Sequence, residues 1–363
     1  MKASLTALEL SHVVKELQFL IGARVQKIYN PEKKVFIFDL HVPSRGRAIL
    51  KANLAGMMHL MGAKGSYGEP SGFCMFLRRR LANARLRALS QIEFERIVEF
   101  LFETKDNSYI LIIELFGGGN MILCDKDRII LSPLENQKWK GRTVAPKEKY
   151  AHPGKGINFL TLKKENLDEL IKASKRDSVV KLLAMDLGLG GVYAEEACLM
   201  SGVDKGSLPK ETGKLYDALK KLRGKKTKAF VVEKGGVVVD IIPFDLQHYD
   251  SEKKPYSSYS EALDSISVET AAQAAPDKKH EKLKRIIERQ ESTIIDLEKS
   301  VRENTGKGDL LYLKYAQVRQ ILDDLKQARM KYSWKEIKEK LRGHKVVKEI
   351  NEKERTIVLD LNE

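Results

Sequence analysis

Cysteine is scarce in this chain: three among 363 residues, Cys74, Cys124 and Cys198, far apart and odd in number. That excludes a disulfide framework and a cysteine-based zinc site. The histidines, His12, His41, His59, His152, His248, His280 and His344, show no metal spacing. There is no phosphate-binding P-loop, no nucleophile elbow and no CxxC pair, so no catalytic residue, no metal ligand and no cofactor is expected. The two tryptophans, Trp139 and Trp334, are isolated. No apolar stretch approaches the ~18 residues of a membrane span. The longest, Tyr109–Leu115, already carries Glu114 and reads as a strand. The N-terminal Met1-Lys2-Ala3-Ser4 leads into an amphipathic segment, not a secretory signal, so a cytoplasmic chain with no membrane partner is predicted.

What is abundant is positive charge. Lys and Arg number 65 against 50 Asp and Glu, a formal net charge of +15. Such an excess suits a polyanionic partner, nucleic acid or an anionic surface; it also fits a plain lysine-rich solvated exterior. Hydrophobic residues make up 42%, enough for a globular chain of two or three domains with their own cores.

The periodicity changes along the chain. Leu5, Leu8, Val13, Leu17, Leu20 and Ile21 suit an amphipathic helix that Gly22 ends. Short strands follow over 24–29, 35–42 and 47–53, then a helix over 71–83 with Ser71 as N-cap. Strands are predicted again over 89–103, 108–115, 120–125 and 128–133, with a turn at Gly117-Gly118-Gly119. Residues 163–222 read as all-helical, 228–246 return to strand, and 250–275 read as a polar linker. From 278 onward the chain is helical and charged. Leu283, Ile287, Gln290, Ile294, Leu297 and Val301 step by four and three, a heptad seam that Asn304–Asp309 interrupts and that resumes at Leu311, Tyr315, Val318, Leu322 and Leu325. Between 278 and 342, 18 Lys and Arg stand against 11 Asp and Glu, a net +7.

Three constellations carry the functional reading. The first is Phe73 to Arg87, where Phe73, Phe76, Leu77, Leu81 and Ala84 make the apolar face of a helix. Arg78, Arg79, Arg80, Arg85 and Arg87 lie on its exposed arc. Clustered guanidiniums repel one another without an anion, and arginine grips phosphate bidentately, so they are read as RNA-phosphate ligands. The competing reading pairs them with Glu93, Glu95 or Glu99. The second is Gly188-Leu189-Gly190-Gly191 between two helical patterns. A helix-hairpin-helix there brings backbone N–H groups to a phosphate; the bland alternative is an ordinary turn with a glycine C-cap. The third is Glu95-Arg96, flanked by Phe94, Ile97 and Val98 in what reads as a strand, so that the two side chains point to opposite faces. Rim residues of a sheet would look the same.

The runs 14–17, 22–29, 73–75, Ala84-Arg85, 114–123 and Tyr193-Ala194-Glu195-Glu196-Ala197-Cys198, with Tyr312 to Ile337 further on, resemble the NFACT family. That family includes bacterial RqcH, eukaryotic NEMF and chains once labelled fibronectin-binding protein A. The resemblance spans nearly the whole chain in the family's order. It implies a multidomain α+β protein: an NFACT-N domain over 1–170, similar to the N-terminal domain of formamidopyrimidine-DNA glycosylases; a helix-hairpin-helix domain over 171–226; a β segment and linker over 227–275; and a coiled-coil and middle region over 276–363. The C-terminal NFACT-R domain, and the helix that would cover the heptad seam, would lie beyond Glu363, leaving that seam exposed. The heptads taken alone instead pair 283–301 with 311–325 as a hairpin. The resemblance also implies ribosome-associated quality control: binding of an obstructed large ribosomal subunit carrying peptidyl-tRNA, contact with rRNA and tRNA, and mRNA-independent, alanine-like tailing of the stalled chain, with bond formation left to the ribosome. The family's acidic–Arg pair for tRNA maps onto Glu95 and Arg96, with Glu where Asp is usual. Two other functions compete: a nucleic-acid-processing enzyme related to the glycosylases, and a fibronectin-binding surface protein. The Pro-Glu start of the glycosylases is replaced here by Met1-Lys2-Ala3.

Overall fold

Thr6-x-x-Glu9 begins the first helix with a reciprocal cap: the Thr6 hydroxyl accepts from the Glu9 amide and the Glu9 carboxylate accepts from the Thr6 amide. In the computed structural model this helix, α1 (Ala7–Glu16), opens the fold. The structure describes residues 2–361 except 64, 66, 140, 154–156, 275–276, 345, 352–353 and 355, and only the backbone of 267–286 and 288. Two units make up the chain, residues 1–271 and 272–363.

The first unit is built on a nine-stranded antiparallel sheet. Its strands are β1 (Arg24–Glu32), β2 (Val35–Val42), β3 (Gly46–Asn53), β4 (Met57–Met61), β5 (Arg85–Gln91), β6 (Ile97–Glu103), β7 (Ser108–Glu114), β8 (Asn120–Asp125) and β9 (Ile130–Pro133), in the order β4-β3-β2-β1-β5-β6-β7-β8-β9. The two halves meet at one registered pair, Arg24 opposite Arg85. Across this narrow seam the Gly22 amide donates to Leu86 and the Leu86 amide to Ala23, both at 2.8 Å. Phe38, Leu40 and Leu50 of one half share a core with Phe100, Phe102 and Leu111 of the other. Helix α2 (Gly72–Leu81), capped by Ser71, packs its Cys74, Leu77 and Leu81 into that core.

Hairpin β10 (Gln137–Trp139) and β11 (Arg142–Val144) follows. Next come α3 (Lys164–Ala173), a single turn α4 (Val179–Lys181) running into a π-helical turn over Leu182–Asp186, α5 (Gly191–Ser201) and α6 (Gly213–Gly224). They enclose a second core that takes Ala7 and Leu8 from α1, while Leu10, Val13 and Val14 of the same helix, and Leu17 just after it, enter the sheet core. Helix α1 is thus the shared wall between the two. Strands β12 (Phe230–Lys234), β13 (Val237–Ile242) and β14 (Glu252–Pro255) form a small sheet, and α7 (Tyr259–Ala274) closes the unit.

That last stretch corrects the linker expected over 250–275. Tyr259, Ala262, Leu263 and Ile266 are buried in the main core, and the Glu16 carboxylate accepts from the Tyr259 and Ser260 amides at 2.6 and 3.0 Å, capping α7. Polar composition concealed an i, i+3, i+4, i+7 stripe. Residues 275 and 276 lie outside the described residues.

In the second unit, α8 (Asp277–Leu313) runs unbroken through the predicted interruption at 304–309. It is followed by α9 (Tyr315–Lys331), α10 (Trp334–Lys340) and the hairpin β15 (Val347–Asn351) and β16 (Thr356–Leu359). A small core joins Leu325, Ile337, Val347 and Ile350. Ile294, Leu297 and Val301 are 54%, 60% and 62% exposed, so these seam residues do not pair back on 311–325. The Leu283 side chain lies outside the described residues.

Candidate nucleic-acid interface

Glu95 and Arg96 are not in a strand. β5 ends at Gln91, and residues 93–96 form a turn before β6, with Glu93 in the left-handed region at φ 50°. The cause is Phe94. Its ring leaves the sheet and enters the helical core, 5.1 Å from the Phe159 ring. Gln91 ties the turn down, donating from Nε2 to the Ala7 carbonyl at 2.9 Å and the Glu95 carbonyl at 2.8 Å. The Arg96 carbonyl accepts from the Leu115 amide at 2.8 Å. No hydrogen bond or ion pair of the Arg96 guanidinium is found among the described residues, and the side chain is half-buried.

Because Phe94 plugs the helical segment, the turn faces the glycine loop. Glu95, Arg96, Gly188 and Gly190 line one cleft of about 400 Å³, with Ser4, Thr6, Phe116 and Ala184 among its other walls. Gly188 and Gly190 have φ 73° and 81°, a conformation that favours glycine. A Cβ on Gly190 would sit 2.9 Å from Thr6 Cγ2, so the glycine allows the loop to close on the start of α1. The Gly190 amide itself is bonded to the Ala184 carbonyl at 3.2 Å. The first turn of α5, starting at Gly191, has no side-chain cap, which leaves its amides to a ligand or to water.

Below the cleft lies a buried ionic network. Lys2 Nζ donates to Glu9 Oε1 at 2.6 Å and to Asp240 Oδ1 at 2.8 Å. Tyr193 donates to Glu9 at 2.7 Å, and Tyr249 to Asp240 at 2.6 Å. Burial opposes the charge on Lys2, but the Glu9 and Asp240 carboxylates outweigh it and raise the ammonium above the ordinary lysine value. Burial and Glu9 push the Tyr193 phenol well up, so it stays a donor. The network fixes Thr6 through Glu9. Sequence reading missed Lys2, Thr6, Glu9 and Phe116 as parts of this place; only the Thr6-x-x-Glu9 box was there to be read.

The arginine cluster divides. Helix α2 ends at Leu81 and Asn83 is left-handed at φ 56°, so Arg85 and Arg87 belong to β5 and not to the helix as expected. Arg78 donates from Nε to the Ile28 carbonyl at 2.6 Å and lies over the Tyr29 ring. Arg79 is exposed. Arg80 lies over Phe76 and lines a separate polar groove with Lys105 and Lys126. Arg87 is paired with Glu103, not with Glu93, Glu95 or Glu99. Glu99 instead binds Arg128 and His152. The last turn of a helix favours cations, which accounts for part of the run 78–80 without any ligand. None of the five lines the cleft of Glu95 and Arg96. Among the described residues, no group of three or more His, Cys, Asp or Glu could hold a metal ion, and no helix is long and apolar enough to cross a membrane.

The family described as NFACT N-terminal and middle domains matches residues 6–362. This chain belongs to the NFACT family. An archaeal Rqc2 homolog, aRqcH of Methanocaldococcus jannaschii, is 33% identical over 392 aligned residues, covering 99% of this chain and 58% of that protein. The ribosome quality control complex subunit NEMF homolog of Drosophila melanogaster is 31% identical over 220 residues, 58% of this chain and 22% of the fly protein. The chain thus spans a little over half of the archaeal relative and a smaller share of the fly one. Among solved structures, the N-terminal part of a Streptococcus suis fibronectin/fibrinogen-binding protein superposes with a TM-score of 0.62 at 23% identity, covering 73% of this chain and 100% of that one. A Staphylococcus aureus fibrinogen-binding protein gives 0.60 at 20% identity, over 72% and 98%. At such identities the likeness is one of fold, and the mixed α+β N-terminal architecture is that of the NFACT proteins.

Proposed function

We propose that this chain acts in ribosome-associated quality control, binding the obstructed large ribosomal subunit and a tRNA so that the ribosome extends the stalled nascent chain without mRNA. The observation that carries the reading is the convergence of Glu95, Arg96, Gly188 and Gly190 on one cleft beside the uncapped start of α5. A guanidinium, free amides and an aromatic wall at Phe116 suit a phosphate and a base, and an ionised carboxylate suits an exocyclic amine or a ribose hydroxyl. An acid on an RNA-facing surface costs affinity unless it selects. Arg96 is assigned the grip on tRNA and Glu95 the selection. The names of the archaeal and fly relatives point the same way.

On this reading the loop 188–191 is the hinge of a helix-hairpin-helix module. The uncapped amides that follow it at the start of α5, with Arg78, Arg79, Arg80 and Arg85, meet phosphates of tRNA and rRNA, whereas Arg87 stays paired with Glu103. Helices α8 and α9 form a coiled-coil arm whose apolar stripe takes a further helix. The chain binds and positions; peptide bonds are made by the ribosome. The test is co-purification from cells with large subunits, followed by sequencing of the attached RNA. Arg96→Ala is expected to lose tRNA but keep the large subunit, and Glu95→Ala to keep tRNA but broaden its identity. Wild-type tRNA profiles for both variants, or a wild-type chain carrying neither tRNA nor large-subunit rRNA, would overturn the assignment.

A further inference from the structure

Beside the cleft stands a feature its chemistry does not use. Hairpin β10–β11 sets Trp139 opposite Arg142 and Lys138 opposite Thr143. Trp139 is 45% exposed and Lys138 is exposed. A single exposed apolar residue is ordinary on any surface. Three observations set this one apart.

The first is that the indole is held. The Arg142 guanidinium lies over its ring, 5.3 Å from the centroid. Arg142 is itself fixed by an ion pair with the buried Glu114 and by an Nε donation to the Ala151 carbonyl at 2.8 Å. Tyr150 donates to the same Glu114 oxygen at 2.6 Å. An aromatic held on one face by an anchored cation loses little freedom when something stacks on it.

The second is location. The hairpin is clamped to the end of the sheet that carries the cleft wall. Asn120 Nδ2 donates to Gln137 Oε1 at 2.9 Å, and Glu114, which holds Arg142, is registered between Ile97 and Asn120. Arg96 precedes Ile97, its carbonyl is bonded to Leu115, and Phe116 comes next. Arg96, Phe116 and the base of the hairpin therefore occupy one rim of the sheet.

The third is charge. Lysines flank the indole on both sides in the sequence, which disfavours burial against an apolar protein surface and favours a polyanion.

We propose that the β10–β11 hairpin is a second RNA contact, in which Trp139, backed by Arg142, stacks on an unpaired base, continuing the surface that starts at Arg96. The inference rests on the RNA-binding reading above but is separable from it. Stacking tolerates any base and needs it unstacked from its neighbours, so the occupant is a loop or single strand rather than a duplex.

The chain has only two tryptophans, so Trp334→Phe leaves Trp139 as the sole reporter. Titrating that protein with a single-stranded oligoribonucleotide is expected to quench Trp139 emission saturably, whereas an abasic strand of equal length quenches it little. In the full chain, Trp139→Ala is expected to weaken binding of the same fluorescein-labelled strand about tenfold, and Trp139→Tyr to recover most of the loss, with unchanged thermal midpoints. If the labelled strand binds while Trp139 emission and the Trp139→Ala affinity stay as in the parent, the hairpin is not an RNA contact and the cleft reading survives. If the labelled strand does not bind at all, both fall.

Discussion

Replacing Lys2 with methionine keeps its length and removes its charge, leaving Glu9 and Asp240 face to face. Both carboxylates now contact one nitrogen, at 2.6 and 2.8 Å, so their oxygens lie no farther apart than those two distances together. Lys2, Glu9 and Asp240 are 7%, 1% and 12% exposed at the side chain, so water screens little of the repulsion. Breaking a buried charge pair by removing one partner costs about 3–5 kcal/mol, a large fraction of the 5–15 kcal/mol typical of a folded domain. The hydroxyls of Tyr193 and Tyr249 still donate to the stranded carboxylates and hold the cost toward the lower figure. Urea unfolding of Lys2→Met should therefore show a loss of about 3 kcal/mol. Because Glu9 also holds the Thr6 amide at the cleft wall, RNA affinity should fall in the same variant while it remains folded. A loss below ~1 kcal/mol would refute the electrostatic account.

Arg79→Ala and Arg80→Ala should each lower the slope of log affinity against log salt by roughly 0.7–0.9, while Arg87→Ala, whose guanidinium is already paired with Glu103, should not. Gly119→Ala should destabilise by at least about 2 kcal/mol, because its Cβ would fall 1.9 Å from the Leu54 carbonyl oxygen, whereas Gly118→Ala, at φ 88° and facing open space, should cost about 1 kcal/mol; chemical denaturation separates them. Burial, helped by Lys15, lowers the pKa of His12 to about 4. An unfolded histidine titrates near 6.5, so between those values the unfolded state binds the extra proton and stability drops as the pH is lowered. His12→Gln should flatten that fall by up to about 3 kcal/mol in denaturation curves from pH 7 to pH 4.

Strands β1, β2, β3, β7, β8 and β9 of the main sheet were legible because their apolar residues alternate or run continuously between glycine, proline and asparagine turns, whereas the short β4 was missed. The helix after Ser71 was legible because serine caps it. Residues 89–103 misled for a definite reason. Phe94, Ile97 and Val98 look like parts of one strand, yet Phe94 belongs to a different core from Val98, and local pattern carries no label for which core a residue enters. Arg85 and Arg87 misled similarly, since nothing before Asn83 announces a left-handed residue that ends a helix. Glu95, Arg96, Gly188 and Gly190 could each be picked out singly; their meeting could not, because it depends on where one phenylalanine side chain goes. The network of Lys2, Glu9 and Asp240 was invisible for the same reason, its members being 7 and 238 residues apart.

That separation has a consequence for how the molecule is made. Lys2 and Glu16 leave the ribosome more than two hundred residues ahead of their partners Asp240, Tyr259 and Ser260. At translation speeds of about 5–20 residues per second, α1 waits on the order of ten to fifty seconds before its ionic and capping partners exist. Until residues 159–222 follow, its face toward the helical core is bare. Slowed synthesis between residues 60 and 260 should thus leave the nascent chain open to proteases near α1, and sensitivity should vanish once α7 has cleared the exit tunnel.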